Sequence, residues 1–92
     1  MHIGSLKIEL FIPSSNSLKY KRQVLSSLKQ RLRNNFNVAI AEQAHDKWQR
    51  ATIYVIGVNG KRPHLEKTLS SIENMLYSCK DIEVINTEIE FF

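Results

Sequence analysis

Two hydrophobic periodicities alternate along this chain, and their order leaves few folds open. In four segments apolar residues recur at every second position, a pattern typical of β-strands. In two other segments they recur every three or four positions, as on one side of an amphipathic helix. The predicted order is therefore strand, helix, strand, strand, helix, strand. The predicted strands are 2–12, 36–44, 48–58 and 82–92, and the predicted helices are 18–35 and 63–80.

This order within 92 residues predicts the α+β class and a ferredoxin-like split βαβ fold (βαββαβ). In that fold a four-stranded antiparallel sheet carries two helices on one face, with the first and third strands in the middle. The third strand, QRATIYVIGV, is apolar on both faces, as a central strand is. In the last strand, Ile85, Ile89 and Phe91 are predicted to share a face. We expect residues 1–92 to form this single domain.

The predicted first helix carries a stripe of leucines that would face the core. Ser17 stands immediately before it, where its side chain would cap the helix. Helical geometry turns Lys21 toward the leucines, so its side chain must extend past the core or meet a carboxylate. The stripe consists of Leu18, Leu25, Leu28 and Leu32, with Val24 beside them.

Positive charge is concentrated in segment 17–36, SLKYKRQVLSSLKQRLRNNF. Six basic residues and no acidic residue lie in this segment, whereas seven basic and nine acidic residues lie elsewhere. The net charge of +4 therefore belongs to this one segment. Such a segment permits a polyanionic partner such as nucleic acid, and it is also compatible with a simple solvated helix face.

The predicted topology brings the start of the first helix next to the hairpin between the second and third strands, and leaves Arg31 and Arg33 at the opposite end. N–H groups at a helix start, serine hydroxyls and cationic side chains together suit a phosphate or a carboxylate. Trp48, beside the hairpin, either folds over the edge of the core or stacks on a base or contacts a protein. The candidate anion- or RNA-binding residues are Ser17, Lys19, Lys21, Arg22, Lys47, Trp48, Gln49 and Arg50.

Motifs that would indicate an enzyme or a metal site are missing from the sequence. The three histidines are scattered and the single cysteine, Cys79, belongs to no CxxC pair, so we expect no metal and no cofactor. No glycine-rich phosphate loop or nucleophile elbow is present, so no catalytic residues are predicted. No apolar run reaches the length of a membrane span, and one cysteine is compatible with a reducing cytosol. We therefore expect a cytoplasmic, non-enzymatic protein that has no membrane partner.

The face of the sheet away from the helices is a second candidate surface. Tyr54, Ile56 and Phe11 would form an apolar patch there if they point outward, and such a patch favours a homodimer or a protein partner. The last strand brings Glu88 and Glu90, which disfavour the base-stacking platform of RNA-recognition motifs.

Four stretches, taken in order, resemble the YlxP-like family of small bacterial proteins, a domain of unknown function. They are MHIGSLKIEL in the first strand, SLKYKR at the helix start, RNNFNVAIAE across the second turn and WQRA at the third strand. The resemblance implies a ferredoxin-like fold and a cytoplasmic location, and it implies no established activity. Genes of such proteins commonly lie beside those of translation initiation and ribosome-binding factors, which implies a role in ribosome maturation or translation. Tyr20 departs from the family, which tends to have Glu at this capping-box position.

The leading expectation is a non-enzymatic accessory protein that binds ribosomal RNA or a ribosomal subunit through the basic end of the domain. The alternative is a protein-interaction module or homodimer that uses the open face of the sheet without nucleic acid. Binding through phosphate contacts would weaken steeply with salt, whereas an apolar dimer would not.

Overall fold

The computed structural model describes residues 1–13, 15–43, 45 and 47–92. Six elements follow one another in the predicted order, and their ends differ from the predicted ends by no more than three residues. Ser14 in the predicted first loop, Ala44 in the predicted second strand and Asp46 in the predicted hairpin lie outside the described residues. The elements are β1 (His2–Phe11), α1 (Leu18–Asn35), β2 (Val38–Gln43), β3 (Arg50–Asn59), α2 (Arg62–Tyr77) and β4 (Glu83–Phe91).

The strands form one sheet in the order β2-β3-β1-β4, and all neighbours are antiparallel. β1 and β3 are the central strands, and they pair over their full length with Ile8 opposite Ile53. The ferredoxin-like arrangement predicted from the sequence is therefore confirmed.

One face of the sheet forms the core together with both helices. Alternate residues of β1 and β3, such as Leu6 and Val55, are completely buried there because their side chains point toward the helices. Gly4 and Gly57 lie on this same face, where leucine side chains of α2 approach the sheet closely. A Cβ at Gly57 would lie 3.0 Å from Leu65 Cδ1. The buried helix residues are Leu25, Leu28, Leu32, Leu65, Leu69, Ile72 and Leu76.

The apolar stripe of α1 differs from the predicted stripe at its first position. Leu18 is exposed, whereas Lys21 is buried, with 5% of its surface accessible. Leu18 is the first residue of the helix, beyond the end of the core, and lines a surface groove instead. The buried side of α1 therefore begins with the aliphatic stem of a lysine.

A register shift in β4 removes Ile85 from the face that it was predicted to share with Ile89 and Phe91, whereas those two residues do share a face. Glu9 pairs with Asn86, but the next residue, Leu10, pairs with Val84, so that Ile85 falls between the two pairs. Because of this extra residue, the side chains before it point to the opposite face from the one that simple alternation along the strand would give. Val84 consequently packs against the core and Ile85 is exposed.

The helices of the described residues are too short or too polar to cross a membrane.

Candidate nucleic-acid interface

The start of α1 is capped as the sequence predicts. Ser17 has extended backbone dihedral angles (φ −159°, ψ 158°), and its Oγ accepts a hydrogen bond of 3.1 Å from the backbone N–H of Tyr20. The buried Ser15 hydroxyl donates to the carbonyl of Ser17 at 3.2 Å, which fixes the loop before the helix. No acidic residue lies in the first turn. The positive end of the helix dipole therefore adds to the charge of the nearby cations.

Lys21 holds the loop between β2 and β3 against α1. Its Nζ donates to the backbone carbonyl of Lys47 at 3.0 Å and to that of His45 at 3.3 Å. The sequence offered two expectations, a side chain that extends past the core or one that meets a carboxylate. Two backbone carbonyls are the acceptors seen among the described residues, so the ammonium of Lys21 has a structural role. The backbone N–H of Arg50 also donates to the Lys47 carbonyl, at 3.3 Å.

Trp48 stands in a groove between this loop and the loop that precedes α1. The two loops are joined by a hydrogen bond of 2.8 Å from the N–H of Ile12 to the carbonyl of Gln49. The groove is open, with a volume of about 510 Å³. Trp48 is 51% exposed, so it does not fold over the core as one of the two interpretations required. The lining residues are Ser15, Asn16, Lys47, Trp48 and Gln49.

Lys19 and Arg22 lie on the outer face of α1, one turn apart and both exposed. The residues that line the same shallow surface beside them are uncharged hydrogen-bonding residues, so no acidic side chain there offsets the two positive charges. Arg22 also lines a smaller groove of about 230 Å³. Lys21 of α1 and His45 of the neighbouring loop line the same groove. Glu42 borders that groove, and its carboxylate pairs with Lys29 at 2.9 Å. The uncharged residues beside Lys19 and Arg22 are Gln23, Ser26, Ser27 and Gln30.

Arg50 does not join the other predicted site residues. It lies opposite Phe11 in the sheet, and because side chains alternate along a strand, it points to the face away from the helices. Its neighbour Ala51 is the residue that points inward and is buried. The predicted set therefore divides into an exposed group (Lys19, Arg22, Lys47, Trp48 and Gln49), two structural residues (Ser17 and Lys21) and the separate Arg50.

Two other side chains depart from what the sequence indicated. Asn16 was not among the candidates, although its position in the loop before a helix start is a signal that could have identified it. Arg31, predicted at the far end of the domain, donates from its NH1 to the Sγ of Cys79 at 3.3 Å. Cys79 follows α2, so the Arg31 guanidinium lies beside the end of α2 and not at the opposite end of the domain.

The described residues contain no group of three His, Cys, Asp or Glu side chains that could hold a metal ion.

A family model described as "Protein of unknown function (DUF503)" matches residues 3–89. The chain belongs to the DUF503 family. The Bacillus subtilis (strain 168) protein described as "Uncharacterized protein YlxP" is 36% identical over 91 residues, which cover 98% of this chain and 99% of that relative. The resemblance seen in the sequence is therefore confirmed, and the descriptions of the DUF503 family and of this relative name no activity.

Two solved structures of low sequence identity share the fold. The structured domain of Drosophila melanogaster Boca has a TM-score of 0.61 at 13% identity and covers 94% of this chain and 95% of its own. The structural-genomics protein YJCS has a TM-score of 0.60 at 11% identity and covers 96% of each chain. At such identities the likeness shows that the DUF503 chain shares this fold, and it indicates nothing about its function.

Proposed function

We propose that this protein binds RNA without catalysis, through the exposed group of Lys19, Arg22, Lys47, Trp48 and Gln49. The observation that carries the proposal is the exposed indole of Trp48 beside Lys47 in an open groove. An aromatic side chain next to cations suits single-stranded RNA, because a base stacks on the ring while phosphates meet the positive charges.

The geometry favours a nucleic acid over a small anion. The Trp48 groove and the Lys19–Arg22 face of α1 are both wide and open, so a small phosphate would stay largely solvated there. A polymer can contact both surfaces at once, and each phosphate that meets a cation releases bound counterions. Trp48 supplies stacking that tolerates any base, so we expect little sequence preference.

The gene neighbourhood of YlxP-like proteins favours one kind of RNA. Genes of YlxP-like proteins commonly lie beside those of translation initiation and ribosome-binding factors, which supports ribosomal RNA as the ligand and a cytoplasmic location. No catalytic step is proposed, because the residues described around Trp48 include no pairing of a nucleophile with a general base.

Charge reversal at the exposed group tests the proposal. Lys19→Glu combined with Arg22→Glu should abolish co-sedimentation with purified ribosomal subunits at low salt and weaken binding of a labelled oligouridylate by about 100-fold, or roughly tenfold for each lost cation. Neither side chain makes an ion pair among the described residues, so the fold should persist.

The matched control is Lys61→Glu combined with Lys67→Glu, which changes the net charge equally at exposed positions near and on α2. RNA binding should survive in this variant. Equal losses in both double variants would mean that only net charge matters, and an unchanged affinity in the first would exclude this surface as the RNA site.

A further inference from the structure

The face of the sheet opposite the helices carries an apolar patch that no described element covers. Ile56 and Val58 of β3 are 46% and 50% exposed, and Ile3 of β1 lies directly opposite Val58. The backbone N–H of the exposed Phe92 donates to the Ile3 carbonyl at 2.8 Å, so that Phe92 continues the same row. Large exposed apolar side chains in one patch are typical of a protein–protein interface. We define the apolar patch as Ile3, Ile56, Val58 and Phe92.

The two edges of this open face differ in charge, and Lys7, Glu9 and Arg50 lie on its central strands. The β2 residues on it are uncharged, whereas β4 presents acidic residues, and the rows of the register place them at opposite edges. In the middle row, Ala41 of β2 is followed by Tyr54, Lys7 and finally Glu88 of β4. The uncharged residues of β2 are Ala39, Ala41 and Gln43, and the acidic residues of β4 are Glu83, Glu88 and Glu90.

We propose that a second copy of this chain covers the open face, with the two-fold axis along the strands and between β3 and β1. This axis places β3 of one copy over β1 of the other, so Val58 meets Ile3 and Ile56 meets Ser5, and the centre of each apolar patch is covered. It also places β2 over β4 of the second copy. The acidic edge of each copy then meets an uncharged edge, with Ala41 facing Glu88.

The charges select this axis over one perpendicular to the strands. A perpendicular axis through the middle row would place Lys7 opposite its own copy and Glu88 opposite its own copy. Like charges brought together at an interface weaken association strongly. The axis along the strands avoids both contacts and brings Lys7 over the ring of Tyr54, a favourable arrangement of a cation and an aromatic ring.

The size of the face is adequate for a dimer. Four strands about 4.8 Å apart and on average about 30 Å long give roughly 600 Å² of face per copy. The two copies together would bury roughly 1,200 Å², the lower end of specific interfaces. We therefore expect a reversible dimer rather than an obligate one.

The dimer would place two RNA-binding grooves side by side, an inference that rests on the proposed function. A two-fold axis along the strands leaves the strand ends of both copies pointing the same way, so both Trp48 grooves lie at one end of the dimer. A long single-stranded RNA could bind both grooves, and its affinity would exceed that of a short one through the increased effective concentration.

Opposite charges at Ala41 test the geometry with matched variants. Ala41 is exposed, and Ala41→Lys and Ala41→Glu differ chiefly in sign. Sedimentation equilibrium without RNA should show Ala41→Lys dimerising about fivefold more tightly than the natural protein, and Ala41→Glu about fivefold more weakly, because the contact between the new side chain and Glu88 of the other copy occurs twice in a dimer. Equal effects of the two substitutions would overturn this axis.

Ile56→Glu tests the patch itself and should weaken dimerisation about 100-fold, since both copies lose a buried apolar side chain at about tenfold each. Tyr77→Glu, at an exposed aromatic residue on α2, is the control and should leave the dimer unchanged. A natural protein that stays monomeric at every concentration, or a dimer that tolerates Ile56→Glu, would overturn the proposal. Because no RNA is present, these outcomes are independent of whether the protein binds RNA.

Discussion

Lys21 joins two segments that are far apart in the sequence, because its ammonium donates a 3.0 Å hydrogen bond to the backbone carbonyl of Lys47. Lys21 is buried on the core side of α1, and Lys47 belongs to the loop that carries Trp48. A buried ammonium is costly unless its donors are bonded, and two loop carbonyls fulfil that need here. The position of the Trp48 groove therefore depends on a side chain that does not itself face the groove.

Lys21→Met should loosen this loop while keeping the aliphatic packing. Methionine fills similar space but donates no hydrogen bond, so we expect unfolding free energy to fall by about 1–2 kcal/mol. Hydrogen exchange should show faster exchange at Arg50, whose N–H shares the Lys47 carbonyl. Lys19→Met removes the same charge from an exposed position and should change neither quantity. Equal protection at Arg50 in the two variants would contradict a structural role for Lys21.

The sequence identified Lys21 as unusual but could not reveal its partner. Helical periodicity alone turns residue 21 toward the leucines, so its burial was predictable. The acceptors are main-chain carbonyls in a distant loop, and no side-chain pattern identifies such groups. Arg50 was misplaced for a related reason: proximity to Trp48 in the sequence says nothing about which face of a strand a residue occupies, and only the register with β1 decides it.

Removing the cap of α1 should lower stability moderately. Ser17→Ala deletes the Oγ that accepts from Tyr20 N–H, and the expected loss of unfolding free energy is about 1 kcal/mol. Ser17→Asp restores an acceptor and places a negative charge at the positive end of the helix, so it should be at least as stable as the natural protein. Ser26→Ala, on the exposed face of α1, is the control in urea unfolding. A Ser17→Ala variant as stable as this control would show that the cap contributes nothing.

Trp48→Ala should separate stacking from charge in RNA binding. Loss of one stacked base costs about 1–3 kcal/mol of binding free energy, whereas the number of phosphate contacts is unchanged. The affinity for oligouridylate should therefore fall by about tenfold or more, while the slope of log affinity against log salt stays constant. Trp48→Phe keeps an aromatic ring and should retain most of the affinity. A changed salt slope in Trp48→Ala would mean that the indole positions a cation rather than a base.

The fold was more predictable than the details of its edges. Alternation and helical spacing determined all six elements because burial on one face repeats along each of them. The bulge at Ile85 could not be predicted, since an extra residue in β4 conflicts with no local preference and becomes visible only against Glu9 and Leu10 of β1. The exposure of Leu18 has a similar origin, because periodicity indicates the side of a helix but not where the core ends.

Gly4→Ala should destabilise the fold by about 1 kcal/mol, because its new Cβ would lie 3.1–3.2 Å from Leu65, Leu69 and Phe91. These side chains are held by the packing of α2 on the sheet, so the added methyl group must displace them. Gly60→Ala is the matched control: no atom lies within 4 Å of its added Cβ, and its φ is not positive. By restricting the unfolded chain, that substitution should leave stability equal or raise it by up to about 1 kcal/mol. Urea midpoints measure both variants, and a Gly4→Ala protein as stable as Gly60→Ala would refute the close approach of α2 at Gly4.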